Sequence, residues 1–163
     1  MAVCADASNM NKRESINALM IEYGLLLDDD QLEAWVELFT DDCDYRIVTR
    51  ENVEQNLPNV LIWCKGKNML ADRITSYRHV NEFNLHWDCH TISPPRLKAD
   101  DDGSWRVEAS YSLFQTTLEG QSRLFSVGRY RARIVFSGDT PRIREMVVVA
   151  DTGSIPTLLA TPI

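Results

Sequence analysis

The chain has 163 residues, a length typical of one domain, and 44% of them are hydrophobic, which is enough for a core of its own. Lysines and arginines number 17 and aspartates and glutamates 24, so the formal net charge is −7. An acidic domain repels the phosphate backbone, which argues against a nucleic-acid partner. No apolar run reaches the roughly 18 residues of a membrane span, so no membrane partner is expected.

The start of the chain and its cysteines favour a reducing compartment. The opening MAVCADASNMNKRES has neither the basic start nor the apolar stretch of a signal peptide, so a cytoplasmic location is expected. The four cysteines form no CxxC pair, and without an export signal they are predicted to be reduced thiols. They are Cys4, Cys43, Cys64 and Cys89.

The segment His86-Trp87-Asp88-Cys89-His90 is the candidate for a metal site. Zinc needs three or four ligands, and no second ligand pair is visible in the sequence. On a strand, Cys89 and His90 would also point to opposite faces. The seven glycines form no GxGxxG, GxxxxGK or GxSxG motif. We therefore predict no catalytic, metal-binding or cofactor-binding residue in this chain.

Apolar residues at three- and four-residue steps predict three helices in the first half. The first has candidate caps at Asp6, Ser8 and Asn9 and is stopped by Asp28-Asp29-Asp30. Its apolar stripe is Ile16, Leu19, Met20, Tyr23, Leu26 and Leu27. Asp30 and Glu33 resemble a capping box for a short second helix with an apolar face of Leu32, Trp35, Val36 and Phe39. A third helix is predicted over about 67–77.

Alternating residues predict the strands. After a turn at 40–42, one strand covers 43–48, with Tyr45 and Ile47 on one face. Residues 49–58 are predicted to be a polar loop, 59–64 an ambiguous strand, and 78–90 a loop. From His90 onward a long meander turns at 101–103, 119–120 and 137–139. Its predicted inner residues are Trp105, Val107, Ala109, Tyr111, Leu113, Leu124, Gly128, Tyr130, Ala132, Ile134, Phe136, Ile143, Val147 and Val149.

Segregated helices followed by an antiparallel meander indicate the α+β class. The natural closure is a strongly curved antiparallel or mixed sheet with the N-terminal helices laid across its concave face. No repeat or linker interrupts the chain, so we expect a single domain over residues 1–163.

Several segments, taken in order, carry a family resemblance. The opening Tyr23 to Asp28, Trp35 and Leu38 to Tyr45 resembles the NTF2-like, or SnoaL-like, superfamily. Arg50-Glu51-Asn52, Met69 to Arg73 and Phe125 to Tyr130 resemble the small (beta) subunit of aromatic-ring-hydroxylating dioxygenases. The loop over 50–58 looks most like small subunits paired with oxygenases for aromatic carboxylates. The chain departs from many relatives at 86–92 and at 128–132.

The resemblance implies an NTF2-like cone and an accessory role in the catabolism of aromatic compounds. In that family a large (alpha) subunit carries the Rieske cluster, the mononuclear iron and the substrate. Three alpha and three beta subunits form a hexamer whose stem is a beta trimer. This chain would accordingly be a non-catalytic subunit of an oxidoreductase. It would hold no cofactor, form a homotrimer and partner the large subunit.

The number of possible iron ligands in this chain agrees with placing both iron centres in the large subunit. A Rieske cluster takes two cysteines and two histidines, and the mononuclear iron takes two further histidines and a carboxylate. The chain has three histidines in all. This polypeptide therefore has too few histidines to hold the two iron centres together.

Two other classes stay open. The chain could be an independent dehydratase or isomerase that uses an Asp/His pair in its cone, drawn from Asp41, Asp42, His86 and His90. Those aspartates also sit where turn residues usually occur. The chain could instead be a binding module with a pocket and no catalysis.

Two surface features bear on assembly. Arg129, Arg131 and Arg133 share one face of a strand, and Arg142 and Arg144 follow on the next. With Glu108, Glu119 and Glu145 as partners, they favour a salt-bridged subunit interface over an anion site. The tail over 155–163 carries Leu158, Leu159 and Ile163 and is expected to dock on a neighbouring subunit.

Overall fold

The computed structural model describes the main chain of residues 2–80, 85–154, 159 and 161–163, and side chains from residue 9 onward within those ranges. This part of the chain forms four helices, all in its first half, and seven strands, of which the last five are consecutive. They are α1 (Ala2–Asp28), α2 (Leu32–Val36), β1 (Phe39–Thr49), α3 (Arg50–Glu54), β2 (Ile62–Lys65), α4 (Lys67–Val80), β3 (His86–Ile92), β4 (Arg96–Ala99), β5 (Trp105–Thr117), β6 (Ser122–Ser137) and β7 (Thr140–Ala150).

The strands form one mixed sheet in the order β2-β1-β7-β6-β5-β3, with β4 also pairing with β5. Only β1 and β7 run parallel among the described pairs; the others are antiparallel. Helices α1 and α4 lie against one side of this sheet, called here the inner face. The opposite side is called the outer face. The predicted α+β class with helices on one face of a mixed sheet is confirmed.

The core lies between α1, α2, α4 and the inner face. All six residues of the predicted apolar stripe on α1 are buried, with exposed fractions of 8% or less. Trp35 is fully buried at the centre of the core, as its helical spacing predicted. Its ring packs edge-on against Tyr23, Phe39 and Tyr45, with centroid distances of 5.6, 4.8 and 5.4 Å. Such edge-to-face contacts stabilise a core beyond the area they bury.

Several predicted boundaries in the first half are wrong. Helix α1 begins at Ala2, upstream of the predicted caps, so those residues lie inside it. The capping box of α2 does not form: Gln31 is the N-cap, and Asp30 adopts a left-handed φ of 55°. Residues 40–42 continue β1 through an irregularity instead of turning. The predicted loops at 49–58 and 78–90 contain α3 and most of β3, because tertiary pairing decides such short elements.

Two register shifts in the meander change which residues face inward. Between Leu113 and Phe114 the pairing of β5 with β6 skips one residue, and Leu124 is therefore 52% exposed instead of buried. At a second shift, the adjacent residues Arg133 and Ile134 of β6 pair with Glu145 and Ile143 of β7, so that one residue of β7 is skipped. Met146 and Val148 are consequently buried, while Val147 is only partly buried. A bulge reverses the alternation of side chains beyond it.

Among the described residues, no helix combines the length and the apolar character that crossing a membrane requires.

Candidate functional site

An aspartate and a histidine form a buried pair inside the protein. Asp28 is the last residue of α1, and its Oδ1 lies 2.6 Å from Nδ1 of His90 on β3. The His90 main-chain N–H also donates to both oxygens of the same carboxylate, at 3.0 and 2.9 Å. The His90 side chain is fully buried. A carboxylate at a helix C-terminus is unfavourable by itself, so these bonds fix the end of α1 to the edge strand β3.

The aspartates proposed from the sequence for such a pair lie elsewhere. Asp41 and Asp42 are exposed on the first part of β1. Asp42 pairs with Arg144 at 3.2 Å. A hydrogen bond from Thr40 and the guanidinium of Arg144 lower the pKa of the Asp42 carboxyl. The aspartate that contacts His90 is therefore Asp28, which the sequence had indicated only as a helix stop, and neither Asp41 nor Asp42.

His86 belongs to a second polar group on the inner side of β3. Its Nε2 lies 3.0 Å from Nε2 of Gln115 and 3.3 Å from Oδ1 of Asp88. Burial raises the pKa of the Asp88 carboxyl. Cys89 is exposed on the other side of the strand, so the HWDCH segment splits its ligands between two faces. Within the described part of the chain, no three His, Cys, Asp or Glu side chains are placed to hold a metal ion.

Two tyrosine hydroxyls meet at the far end of the same interior. The hydroxyls of Tyr23 and Tyr45 donate to the main-chain oxygen of Ile163 at 2.6 and 3.1 Å. Ile163 is 2% exposed and packs in the core of its own chain. The expectation that the tail is free to dock on a neighbour is therefore wrong for Ile163; Leu158 lies outside the described residues.

The outer face of the sheet carries an excess of arginine. Register places Arg106 opposite Arg133, Glu108 opposite Arg131, and Ser110 opposite Arg129. With Arg96 from β4, these guanidinium groups form a surface that we call the arginine face: Arg96, Arg106, Arg129, Arg131 and Arg133. Their side chains are 40–84% exposed.

The arginine face has fewer carboxylates than guanidinium groups. Glu108 lies 3.3 Å from Arg129, 3.4 Å from Arg96 and 3.9 Å from Arg131. Asp100 pairs with Arg106 at 2.6 Å and with Arg133 at 3.5 Å. Asp102 lies 3.7 Å from Arg133. Three carboxylates therefore face five guanidinium groups.

The other acidic and basic residues that the sequence predicted for this interface form contacts elsewhere. Glu145 pairs with Arg46 of β1 at 2.6 Å instead of with the meander arginines. Glu119 lies in the turn between β5 and β6, where a hydrogen bond from Thr117 lowers the pKa of its carboxyl. Arg142 donates to the main-chain oxygen of its neighbour Pro141. Glu108 is thus the predicted acidic partner that forms ion pairs with the arginine face, whereas Glu145 lies opposite Arg133 in the strand register but pairs with Arg46.

Two grooves meet on the outer face. The first, of about 510 Å³, is lined by Lys98, Glu108 and members of the arginine face. The second, of about 420 Å³, lies between β1 and the segment after α3 and includes Leu57 and Trp63. Val147 lines both grooves, so the two are neighbours across β7.

An apolar area occupies the other end of the outer face. Trp87, Phe114 and Leu124 are 56%, 40% and 52% exposed. Phe114 pairs with Cys89 on one side and with Leu124 on the other, so these three residues form one row across three strands, and Trp87 lies two positions before Cys89 on β3. Exposed aromatic and arginine side chains are typical of protein–protein interfaces.

Comparison with known proteins agrees with the fold. Residues 8–147 match the SnoaL-like domain family. The small subunit of anthranilate 1,2-dioxygenase from Burkholderia cepacia is 39% identical over 137 residues, which cover 84% of this chain and 85% of that protein. The beta 1 subunit of the terminal oxygenase component of terephthalate 1,2-dioxygenase from a Comamonas species is 26% identical, with coverage of 91% and 96%.

A solved structure gives the same result. It is described as the beta subunit of an aromatic-ring-hydroxylating dioxygenase from Novosphingobium aromaticivorans DSM 12444, and it superposes with a TM-score of 0.84 and 40% identity over 93% of this chain and 96% of that one. The expected NTF2-like fold is confirmed. The chain belongs to the SnoaL-like domain family and, within it, to the small subunits of aromatic-ring dioxygenases.

Proposed function

We propose that this chain is a non-catalytic assembly subunit of an aromatic-ring-hydroxylating dioxygenase. It forms a homotrimer and joins the large oxygenase subunit in a hexamer of three large and three small subunits, in the cytoplasm. The Rieske cluster and the mononuclear iron belong to the large subunit in this scheme. The relatives named for anthranilate and terephthalate favour an aromatic carboxylate as the substrate of the assembled enzyme.

The arginine face is the observation that carries the assembly role. A surface with five guanidinium groups and three carboxylates gains from added carboxylates, although the chain as a whole is acidic at −7. Two neighbouring grooves, one of them lined by the exposed Trp63, lie on the same face of the sheet. A cyclic trimer joins two different surfaces of each subunit, and segregated charge gives such surfaces their complementarity.

The test compares two charge reversals on the same strand. Arg131→Glu alters the arginine face, whereas Arg123→Glu alters an exposed arginine nearer the start of β6. Each variant and the unmodified chain are co-expressed with the large subunit and sized by light scattering. We expect the unmodified chain and Arg123→Glu to form the hexamer, and Arg131→Glu to lose it while keeping its circular dichroism spectrum.

Two results would contradict the proposal at different points. If the unmodified chain stays monomeric and does not bind the large subunit, the assembly role is wrong. If Arg131→Glu assembles as well as Arg123→Glu does, the assembly role stands and the arginine face is not the surface that carries it.

One observation favours a second candidate, an independent acid–base enzyme. The Asp28–His90 pair is the arrangement that orients an imidazole for proton transfer. Nε2 of His90 is buried and has no hydrogen-bond partner in the described structure, so a substrate would reach it only if the interior opened. Deuterium exchange at the acidic C–H of a simple ketone, followed by NMR, tests this activity. Exchange by the isolated chain that His90→Asn abolishes would support it; exchange no faster than in buffer would exclude it.

A further inference from the structure

The chain around α3 forms a closed, exposed loop on the outer face. Thr49 caps the helix by accepting a hydrogen bond from the Asn52 main-chain N–H at 3.2 Å. The Asn52 side chain donates to the main-chain oxygen of Asn59 at 2.9 Å, and the Leu57 N–H donates to the main-chain oxygen of Asn52 at 2.8 Å. These bonds fix the shape of residues 49–59, which we call the α3 loop. A surface that is already ordered loses little conformational entropy when it binds a partner.

The α3 loop carries two carboxylates that form no ion pair with any described residue. Glu51 accepts a hydrogen bond from the Gln55 amide at 3.2 Å, and Glu54 is exposed. The cation on the same helix, Arg50, pairs instead with Asp151 at 2.7 Å. Both carboxylates are therefore available to cations of another molecule.

Apolar side chains accompany these carboxylates. Val53 and Leu57 are 38% and 44% exposed, and Pro58 next to Leu57 is also exposed. Burying such side chains against a partner is favourable in proportion to the apolar area that leaves water. The α3 loop therefore offers a partner both apolar surface and negative charge.

The first groove of the outer face has the opposite charge. Its volume of about 510 Å³ falls within the range of pockets that enclose small ligands. Lys98 and members of the arginine face line it, together with the apolar residues Ala132 and Val147. The arginine face has five guanidinium groups and three carboxylates, an excess of two guanidinium groups. The two unpaired carboxylates of one α3 loop match that excess.

Within one chain, the α3 loop and the arginine face are separate. The ion pair of Arg46 with Glu145, at 2.6 Å, lies between them, because Glu145 lines the first groove and Arg46 lines the second, which the α3 loop borders. Every copy of the chain thus presents both complementary surfaces at different places. A contact between two different surfaces is the heterologous type that closes into rings, as a homotrimer requires.

We propose that the α3 loop of a second copy of this chain occupies the first groove and pairs with its arginine face. Val53 and Leu57 enter the groove, and Glu51 and Glu54 meet the guanidinium groups that are in excess. This inference rests on the proposed assembly role and names the surface that each subunit offers to the next.

Charge reversal on both surfaces of the full chain tests this contact. The groove variant carries Arg129→Glu and Arg131→Glu. The loop variant carries Glu51→Arg and Glu54→Arg, and the swap variant carries all four substitutions. Light scattering over a range of concentrations measures the self-association of each chain, and circular dichroism checks that each chain is folded.

Each reversal should weaken self-association, and the two together should restore it. We expect the groove variant and the loop variant each to associate at least about tenfold more weakly than the unmodified chain, because each places like charges opposite one another. The swap variant restores opposite charges across the contact and should return to within about threefold of the unmodified chain. The control, Glu14→Arg with Glu22→Arg at exposed positions of α1, changes the net charge as the loop variant does and should leave association unchanged.

Three results would overturn this contact and leave the assembly role standing, provided that the unmodified chain binds the large subunit. The first is an unmodified chain that does not associate with itself. The second is a folded loop variant that associates as tightly as the unmodified chain. The third is a folded swap variant that associates as weakly as the groove variant.

A mixture replaces the swap variant if that variant does not fold. In a one-to-one mixture of the groove and loop variants, the intact loop of one chain meets the intact groove of the other. The mixture should therefore associate more tightly than either variant alone, and a mixture that does not would overturn the contact. An unmodified chain that neither associates nor binds the large subunit would overturn the assembly role itself and this contact with it.

Discussion

Polar side chains on the inner and outer faces of the sheet differ in how fully they are paired within the chain. On the inner side, Tyr23, Tyr45 and the Asp28–His90 pair form hydrogen bonds within the chain. On the outer side, the arginine face has fewer carboxylates than guanidinium groups, and Trp63 and Trp87 are about half exposed. These inner groups are thus hydrogen-bonded within the chain, whereas the outer face keeps exposed aromatic rings and an excess of guanidinium groups.

This difference predicts that the two faces respond differently to substitution. Buried aromatic and hydrogen-bonded groups determine whether the chain folds, because an emptied core position or an unpartnered polar atom costs free energy directly. Exposed ion pairs contribute little to folding, because water and salt screen them. Substitutions on the inner face should therefore change the free energy of unfolding, and those on the outer face should change association.

The largest expected effect is that of Trp35→Ala. It removes a fully buried ring from the centre of the aromatic cluster and should lower the free energy of unfolding by about 3–5 kcal/mol. The matched control is Trp63→Ala on the outer side of β2, where the ring is 46% exposed and the expected loss is under about 1 kcal/mol. Denaturant unfolding of both variants measures the contrast, and equal losses would contradict it.

The next largest expected effect is that of Gly128→Ala, because β6 has no room for a side chain at this position. A Cβ at this position would lie 2.0 Å from the main-chain oxygen of Val149 and 3.0 Å from the Tyr111 ring. Gly128→Ala should therefore push the strands apart and cost about 2–3 kcal/mol.

Gly24→Ala on α1 is the control for that substitution. Its nearest neighbour is the flexible end of the Ile92 side chain at 3.0 Å, and alanine favours a helix over glycine by about 1 kcal/mol. The net change should stay within about 1 kcal/mol of zero. Thermal melts of the two variants test the difference; a stable Gly128→Ala chain would show that the inner face has room to adjust.

The sequence predicted the inner face better than any other part. Regular spacing identified the stripe on α1 and the burial of Trp35, because one side of a long helix must meet the core. It also identified the strand residues Tyr45 and Ile47, both fully buried. Alternation failed beyond Leu113 and Arg133, since a bulge adds one residue and leaves no mark in composition.

The polar groups were harder to predict. Asp28 lies 62 positions before His90, and only the packing of α1 against β3 brings the two together. Ile163 likewise meets Tyr45 across 118 positions. The arginines at every second position of β6 did predict the arginine face, because residues two positions apart lie on the same side of a strand. Local patterns thus predict a face, whereas long-range pairs need the fold.

A smaller effect is expected at the buried pair. Asp28→Ala leaves the His90 imidazole and its main-chain N–H without their acceptor, and an unpartnered buried donor costs about 1–3 kcal/mol. Asp29→Ala, at the exposed next position, is the control and should cost less than about 0.5 kcal/mol. Hydrogen exchange of the β3 amides should also quicken in Asp28→Ala alone. Unchanged exchange would mean that α1 does not hold this edge strand.

The smallest effect concerns Arg78, which joins α4 to the start of α2 at the exposed rim of the helical layer. Its Nε and Nη2 contact both oxygens of Glu33 at 2.9 and 3.0 Å. This hydrogen bonding lowers the pKa of the Glu33 carboxyl to about 2. The ordinary value is about 4.3, so between about pH 4 and 2 the unfolded chain binds a proton that the folded chain does not.

The contribution of Glu33 to stability is therefore complete above about pH 5 and is lost as the pH falls towards 2. Because the Glu33 side chain is 66% exposed to water, solvent screening should keep this contribution below about 1 kcal/mol. Denaturant unfolding of the unmodified chain and Glu33→Gln at pH 6 and pH 3 measures the difference. The gap should narrow at pH 3 and in high salt, whereas Glu22→Gln, on an exposed side of α1, should show no such narrowing. A gap that is constant with pH would mean that the ion pair adds nothing to folding, even though its geometry is bidentate.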